Sequence, residues 1–205
     1  MAQTTSGIKS VLSFSAVYDL FQNLVGASRC RAEFIASYVR ARSGDRVLDI
    51  GCGTGDILEH LPRVDYYGFD LSEEYIEAAK RRYGNRANFS CENVSLKTLE
   101  GLPDFDIVLA VGVLHHLDDQ EAVALFNLAK TALKPGARLV TLDPCYAEGQ
   151  SKIARLIISL DRGQNVRDRN GYERLGKLVF RHVRSNVRDD LLNMPYTHII
   201  LECRG

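Results

Sequence analysis

The residues with the clearest chemical potential lie in one short run, Asp49-Ile50-Gly51-Cys52-Gly53-Thr54-Gly55. Glycines at alternate positions permit backbone angles that other residues avoid, and they let a ligand approach the main chain. The dinucleotide fingerprint is GxGxxG, whereas this run reads GxGxG and has Asp56 at the sixth position. A carboxylate at the start of a helix repels a pyrophosphate, which favours the positive end of the helix dipole. The run therefore indicates a nucleoside ligand that carries no phosphate.

An acidic residue follows at the distance expected for a ribose contact. Asp70 ends the second predicted strand, 19 residues after Gly51. An ionised carboxylate has two acceptor oxygens, so it is able to bind both ribose hydroxyls. The alternative is that Asp70 caps the following helix, although Ser72 is the better-placed cap. S-adenosylmethionine, which contains an amino acid, a ribose and an adenine, fits the glycine run and this aspartate together.

Short apolar runs alternate with helical patterns along the chain and must position these residues. We predict strands at residues 46–50, 66–69, 88–91, 106–111 and 138–142. We predict helices at residues 16–25, 28–42, 56–61, 73–83, 122–133, 152–160 and 171–179. Alternation of this kind predicts a mostly parallel sheet with right-handed crossovers and helices on both faces. The turn at residues 193–195 is too short for a crossover helix, so residues 180–187 and 197–203 should pair antiparallel.

Four motifs in this order resemble those of the class I S-adenosylmethionine-dependent methyltransferases, especially the small-molecule group of the ubiquinone/menaquinone biosynthesis type. They are VLDIGCGTG, YYGFDLS, FDIVLAVGVLHHL and LKPGARLV, between Val47 and Leu142. The resemblance implies a Rossmann-like α/β fold with a seven-stranded, mostly parallel sheet and an antiparallel C-terminal strand. We expect a single domain with an N-terminal helical cap (1–44), a cofactor-binding core (45–143) and an acceptor side (144–205).

The resemblance also implies a set of cofactor contacts. The glycine run would line the methionine part, Asp70 would hold the ribose, and an N-terminal helix would help close the site. Most relatives have Gly-Asp where this chain has Glu92-Asn93, so Asn93 is either an adenine contact or a turn-forming asparagine. The residues assigned in this way are Tyr18, Phe21, Asp49, Gly51, Cys52, Gly53, Gly55, Asp70, Leu71, Asn93, Val94, Val111 and Gly112. Asp49 would orient the glycine turn, and Val111 and Gly112 would present backbone beside the donor sulfur.

Two adjacent histidines, His115 and His116, follow the fourth predicted strand. In related enzymes this loop borders the donor methyl group. A histidine has an unperturbed pKa near 6.5, which suits a general base, and His115 is the first candidate. The alternative is that one or both histidines are structural and bind the backbone.

The acceptor side offers Tyr146, Arg162, Arg167 and His198 as substrate-binding candidates. The two arginines and His198 are candidate anion-binding groups, with surface salt bridges as the alternative. The sequence Asp143-Pro144-Cys145-Tyr146 is similar to the DPPY motif of amino-directed nucleic-acid methyltransferases. It follows the fifth strand rather than the fourth, which argues against that class.

Composition limits the remaining possibilities. The five cysteines show no CxxC spacing, so we expect reduced thiols and neither a disulfide framework nor a metal site. No apolar run approaches a membrane span, and the N-terminus is polar, so we expect a cytoplasmic protein without a membrane partner. Residues 1–150 carry a net charge of −5 and residues 151–205 one of +5. No dense basic run accompanies stacking aromatics, so the sequence shows no nucleic-acid module. The basic C-terminal part is either a solvated surface, which we favour, or a surface that faces an anionic small molecule.

These patterns predict methyl transfer from S-adenosylmethionine to a small molecule, with S-adenosylhomocysteine as product. The acceptor atom, whether oxygen, carbon or nitrogen, and the oligomeric state stay open. One alternative is an NAD(P)-dependent oxidoreductase on a related sheet. The other is a non-catalytic S-adenosylmethionine-binding partner protein, which a plugged acceptor cavity would indicate.

Overall fold

A seven-stranded sheet carries the site. The structure, a computed structural model, describes residues 25–160 and 163–205. The strands are β1 (Arg46–Ile50), β2 (Asp65–Asp70), β3 (Asn88–Cys91), β4 (Phe105–Val111), β5 (Leu133–Pro144), β6 (His182–Arg188) and β7 (His198–Arg204). Their order in the sheet is β3-β2-β1-β4-β5-β7-β6. The first five strands run parallel, and β7 runs antiparallel to both of its neighbours. The predicted Rossmann-like fold is therefore confirmed.

Two apolar cores cover the two faces of the sheet. Along the central strand β4, Val108 and Ala110 pack into one core, while Ile107 and Leu109 pack into the other. Alternate side chains of a strand point to opposite faces, so a strand buried on both sides must be apolar at nearly every position. This explains why the middle of β4, residues 107–110, is fully buried.

Helices flank the sheet on both sides. They are α1 (Ala27–Phe34), α2 (Glu73–Tyr83), α3 (Leu96–Glu100), α4 (Asp119–Ala132), α5 (Lys152–Ser159) and α6 (Arg169–Lys177). Short 3-10 turns cover Asp56–His60, Gly84–Arg86 and Leu114–His116, and a π-helical turn at Ile35–Val39 extends α1.

Local capping explains where the main helices begin. The Ser72 hydroxyl accepts a hydrogen bond from the Tyr75 amide at the start of α2, as predicted. Asp118 and Glu121 form a reciprocal capping box at the start of α4. The carboxyl end of β2 thus lies directly before α2, whereas a loop with a 3-10 turn joins β4 to α4. The candidate site residues lie at these strand ends.

Several boundaries differ from the predictions. The predicted helix at 28–42 ends earlier, because the π-helical turn stops at Val39 and Arg40 adopts a left-handed conformation with φ 50°. The strand β5 begins at Leu133 rather than Arg138, since Leu133 pairs with Phe105 before a shift in register. The helix α3 was not predicted. Residues 16–24 of the first predicted helix, with Tyr18 and Phe21, lie outside the described residues.

Residues 25–160 and 163–205 contain neither a membrane-spanning helix nor a metal-binding cluster. None of the helices in this part of the chain is long and apolar enough to cross a membrane. No group of three or more histidine, cysteine or acidic side chains in the described ranges is arranged to hold a metal ion.

Candidate active site

The glycine turn is held tightly against the ends of β2 and β4. Gly51, Gly53 and Gly55 all have positive φ angles, of 75°, 54° and 73°. The Gly51 amide donates a hydrogen bond to the Phe69 carbonyl at 2.8 Å. A Cβ atom at Gly51 would lie 2.7 Å from Cγ2 of Val113, in the loop after β4. The turn therefore requires glycine both for its conformation and for its close approach to that loop.

Asp70 fixes the turn from the neighbouring strand. One carboxylate oxygen accepts a hydrogen bond from the Gly53 amide at 2.9 Å. The other accepts one from the Ser72 amide, also at 2.9 Å. Ser72 is the residue that caps α2, so Asp70 is not needed as a helix cap. An ionised carboxylate has about four lone-pair sites, so each oxygen of Asp70 retains capacity for a further donor.

A cavity of about 540 Å³ opens at this edge of the sheet. Five of the predicted cofactor residues line its wall, namely Gly51, Asp70, Leu71, Asn93 and Val94. Leu71 is 75% exposed and presents an apolar surface in the cavity wall. Apolar side chains opposite, among them Leu117 and Leu125, give the cavity an environment suited to a flat, weakly polar ring.

The other described cofactor candidates lie beside this cavity rather than in its wall. Cys52 is buried, and its amide donates to the same Phe69 carbonyl as Gly51. Gly112, with φ 68°, donates its amide to the Leu142 carbonyl at 2.7 Å, which joins the ends of β4 and β5. Val111 is half-buried at the end of β4. These contacts hold the backbone beneath the glycine turn in place.

Asp49 differs from its predicted role of orienting the glycine turn. Its carboxylate is buried and accepts a hydrogen bond from the Tyr66 hydroxyl at 2.6 Å. Its other oxygen has no hydrogen-bond partner among the described residues. Burial raises the pKa of Asp49 to about 6, although the Tyr66 hydrogen bond opposes the shift. In this structure the contact that orients the turn comes from Asp70.

His115 forms a buried pair with Asp143. The Nδ1 atom of His115 lies 3.0 Å from Oδ1 of Asp143, and the His115 amide donates to the same oxygen at 3.2 Å. Both residues are buried, whereas the adjacent His116 is exposed and stacks on His115 with ring centroids 4.0 Å apart. A carboxylate at Nδ1 fixes the ring orientation and favours the tautomer that leaves Nε2 as the acceptor.

Asp143 is a site residue that sequence reasoning missed. In the sequence it stands out only as the first residue of Asp143-Pro144-Cys145-Tyr146, at the end of β5. The available signal was its position, because β4 and β5 are neighbours and their carboxyl ends meet at the same edge. An acidic residue ending β5 is therefore within reach of a histidine in the loop after β4.

The predicted substrate-binding residues lie in different environments. Arg167 donates from Nη1 to the Leu114 carbonyl at 3.0 Å and from Nη2 to the Leu117 carbonyl at 2.8 Å. It also forms an ion pair with Asp119 at 2.9 Å, so its guanidinium is bound to groups of the protein itself. The Tyr146 ring lies under the Arg155 guanidinium at the end of β5. Arg162 lies outside the described residues.

The interpretation of His198 as a cationic anion-binding group is not supported by its environment. The side chain is buried at the start of β7, and burial lowers its pKa to about 4. The imidazole is therefore neutral at neutral pH, and it packs against the Tyr196 ring in a tilted arrangement with 4.8 Å between centroids. A neutral ring has no charge with which to attract an anion.

Comparison with known proteins agrees with this architecture. Residues 48–139 match the sequence model of a methyltransferase domain. The O-methyltransferase rstn1 of Aspergillus nomiae is 34% identical over 49% of this chain and 47% of its own length. The ubiquinone biosynthesis O-methyltransferase of Idiomarina loihiensis is 27% identical over 58% of this chain and 50% of its own length. The chain thus spans about half the length of these curated relatives.

A solved structure shares the fold over nearly the whole chain. The magnesium protoporphyrin IX methyltransferase of Synechocystis PCC 6803, with bound S-adenosylhomocysteine, superposes with a TM-score of 0.64 at 20% identity. The match covers 96% of this chain and 99% of that one. Identity at this level shows the fold alone. Together with this shared fold, the match over residues 48–139 shows that this segment is similar to a methyltransferase domain and lies in a Rossmann-like fold.

Proposed function

We propose that this protein transfers a methyl group from S-adenosylmethionine to an oxygen atom of a small molecule. The observation that carries the proposal is the buried His115–Asp143 pair. His115 follows Val113 by two residues, and the Val113 side chain packs against Gly51 of the glycine turn. A base is required when the acceptor is a hydroxyl, since its proton must leave as the new bond forms. The relatives named as O-methyltransferases support oxygen over carbon or nitrogen.

The donor side fits a cationic adenosine ligand. Asp70 offers its carboxylate to the ribose hydroxyls, and the exposed Leu71 offers an apolar surface to the adenine. Glu92 and Glu121 add negative charge to the cavity wall. When bound, S-adenosylmethionine supplies an electrophilic methyl group on a sulfonium centre. The acidic wall favours a ligand with that positive charge.

The acceptor side supplies proton removal. The His115 imidazole, with Nδ1 facing Asp143, takes the hydroxyl proton at Nε2 as the acceptor oxygen forms its bond to the methyl carbon. The bond between that carbon and sulfur breaks, and the electron pair stays on sulfur. Asp143 stabilises the resulting imidazolium, and the proton then passes to solvent. Alignment of the reacting atoms can account for about 7–11 kcal/mol of the barrier.

The geometry argues against a dinucleotide-dependent oxidoreductase. A pyrophosphate needs the N-terminus of a helix, but the element after the glycine turn is a five-residue 3-10 turn that begins with Asp56. The Asp56 carboxylate binds Arg82 at 2.6 Å, which also keeps that cation away from a phosphate. We expect calorimetric titration to detect S-adenosylhomocysteine binding and no NADH binding; tight binding of NADH alone would reverse the proposal.

Turnover tests the reaction itself. We propose incubation with S-adenosylmethionine labelled in its methyl group and a panel of small phenols, alcohols, carboxylic acids and amines. Label should appear in a hydroxyl or carboxyl compound. The His115→Ala variant should lose turnover by about a hundredfold while S-adenosylhomocysteine affinity is retained. Equal loss of turnover and affinity would point to a structural histidine, and label only in amines would overturn the choice of oxygen.

A further inference from the structure

A short segment crosses the histidine loop from outside. Residues 163–168, here called the strap, lie against both the backbone and the ring of His115. The Asn165 amide donates a hydrogen bond to the His115 carbonyl at 2.9 Å. A Cβ atom at Gly163 would collide with the His115 ring, so the strap passes directly over the imidazole. The ring is thus held between the strap and Asp143.

Arg167 makes the strongest contacts of the strap. Its guanidinium donates to the carbonyls of Leu114 and Leu117, which stand on either side of the two histidines. Nη1 also donates to the Asn165 carbonyl at 3.0 Å, which braces the strap itself. The Arg167 side chain is only 11% exposed, so these hydrogen bonds form largely out of water. Hydrogen bonds from a charged donor are stronger than neutral ones in such an environment.

The strap is also joined to the end of β5. The Tyr146 amide donates to the Arg167 carbonyl at 3.1 Å, and Tyr146 forms a parallel β-bridge with Asp168. Asp143 lies three residues before Tyr146. Arg167 therefore connects through its side chain to the loop that carries His115, and through its backbone to the segment that carries Asp143.

We propose that Arg167 is a positioning residue, which clamps the loop after β4 at both ends and thereby keeps His115 in contact with Asp143. The inference rests on the proposed function, in which His115 is the base. Arginine suits the task because its planar guanidinium donates in several fixed directions at once. A lysine at this position carries its three donors on one nitrogen, so it does not span the two carbonyls as the guanidinium fork does.

The chain offers a matched control. Arg174 binds the same carboxylate as Arg167, with Nη2 2.8 Å from Oδ2 of Asp119, but its side chain is 65% exposed. Loss of Arg174 removes a surface ion pair without touching the strap. Any effect shared by the Arg167→Ala and Arg174→Ala variants would therefore come from Asp119 and not from the clamp.

The deciding experiment compares these two variants with Arg167→Lys by hydrogen exchange and NMR, with S-adenosylhomocysteine as the ligand probe. In Arg167→Ala we expect the amides of residues 113–117 to exchange about tenfold faster or more, since two carbonyl anchors are lost. Long-range nitrogen spectra, assigned with His115→Gln, should show His115 losing its fixed tautomer. Affinity for S-adenosylhomocysteine should change by less than about threefold, because Arg167 does not line the donor cavity and binds only the backbone of Leu117 there.

The two other variants and the kinetic constants decide whether Arg167 positions His115. Arg174→Ala should match the wild type, and Arg167→Lys should lie between the two because it keeps the charge without the fork. With an acceptor from the panel, Arg167→Ala should lower kcat more than the acceptor KM changes. An unaltered His115 tautomer in Arg167→Ala, or an equal effect of Arg174→Ala, would overturn the positioning role. Failure of the wild type to bind S-adenosylhomocysteine would instead overturn the proposed function, and the exchange comparison would still test the clamp.

Discussion

The two halves of the sheet's carboxyl edge are built in different ways. On the donor half, at the ends of β1 to β3, most contacts involve the backbone. A glycine turn lies against β2, and the Asp70 carboxylate accepts a hydrogen bond from it. On the acceptor half, at the ends of β4 and β5, side chains from distant parts of the chain interlock. There His115, Asp143 and Arg167 form a chain of contacts that spans more than 50 residues of sequence.

The difference suggests how one scaffold serves many acceptors. A donor site made of local backbone geometry tolerates little change, because a positive φ angle or a close approach allows only glycine. An acceptor site made of side-chain contacts between loops changes whenever one loop changes. Substitutions on the donor half should therefore alter ligand affinity, whereas those on the acceptor half should alter turnover.

The largest expected effect is on the acceptor half. Replacement of Asp143 by asparagine should lower kcat by at least about a hundredfold, since the neutral amide does not stabilise the imidazolium and its NH2 group can donate to Nδ1 of His115, which favours the other tautomer. Affinity for S-adenosylhomocysteine, measured by calorimetry, should stay near the wild-type value. His116, which is exposed beside His115, provides the control, because His116→Gln should retain turnover. A loss of S-adenosylhomocysteine affinity in Asp143→Asn would contradict the claim that substitutions on the acceptor half alter turnover alone.

The next effect is on the donor half and uses two glycines of the same turn. Gly51→Ala should weaken S-adenosylhomocysteine binding by roughly 2 kcal/mol, because it combines backbone strain with a collision against Val113. Gly53→Ala has a comparable positive φ but nothing within 4 Å of the added carbon. It should therefore cost about 1 kcal/mol. Equal losses would mean that close approach to the β4 loop is unimportant.

A change of comparable size is expected at Asp70. Its replacement by alanine should weaken S-adenosylhomocysteine binding by about 1–3 kcal/mol, since ribose hydroxyls would lose their acceptor and the Gly53 amide its anchor. Adenine alone, which lacks the ribose, should show a much smaller loss in a parallel titration. Unchanged affinity for S-adenosylhomocysteine would refute the ribose assignment.

The smallest expected effect is on stability and concerns Asp49. Its folded-state pKa of about 6 lies above its ordinary value, so the folded protein binds more protons than the unfolded chain between about pH 4 and 6. The free energy of unfolding should therefore fall as pH rises through this window. Asp49→Asn should remove that dependence and stabilise the protein by about 1 kcal/mol at pH 8. Urea denaturation at several pH values measures this; an identical pH slope in wild type and variant would contradict it.

Prediction from sequence succeeded best where the signal was local. The strand bounds of β1 and β3, the Ser72 cap and the order of elements all follow from patterns within a few residues. The glycine run and Asp70 lie at the ends of adjacent strands, as the βαβ arrangement requires. The π-helical turn after α1 and the early start of β5 were missed, because each depends on packing and pairing with distant residues.

The sequence by itself therefore determined the sheet, the glycine turn and the aspartate beside it, since short-range backbone preferences and hydrophobic periodicity specify them. Only the tertiary structure decided which histidine is buried, that Asp143 is its partner, that Arg167 is used inside the protein, and that His198 is neutral. These outcomes depend on burial and on contacts between loops far apart in the chain. A residue's type gives its possible chemistry, but its charge and partners follow from what packs around it.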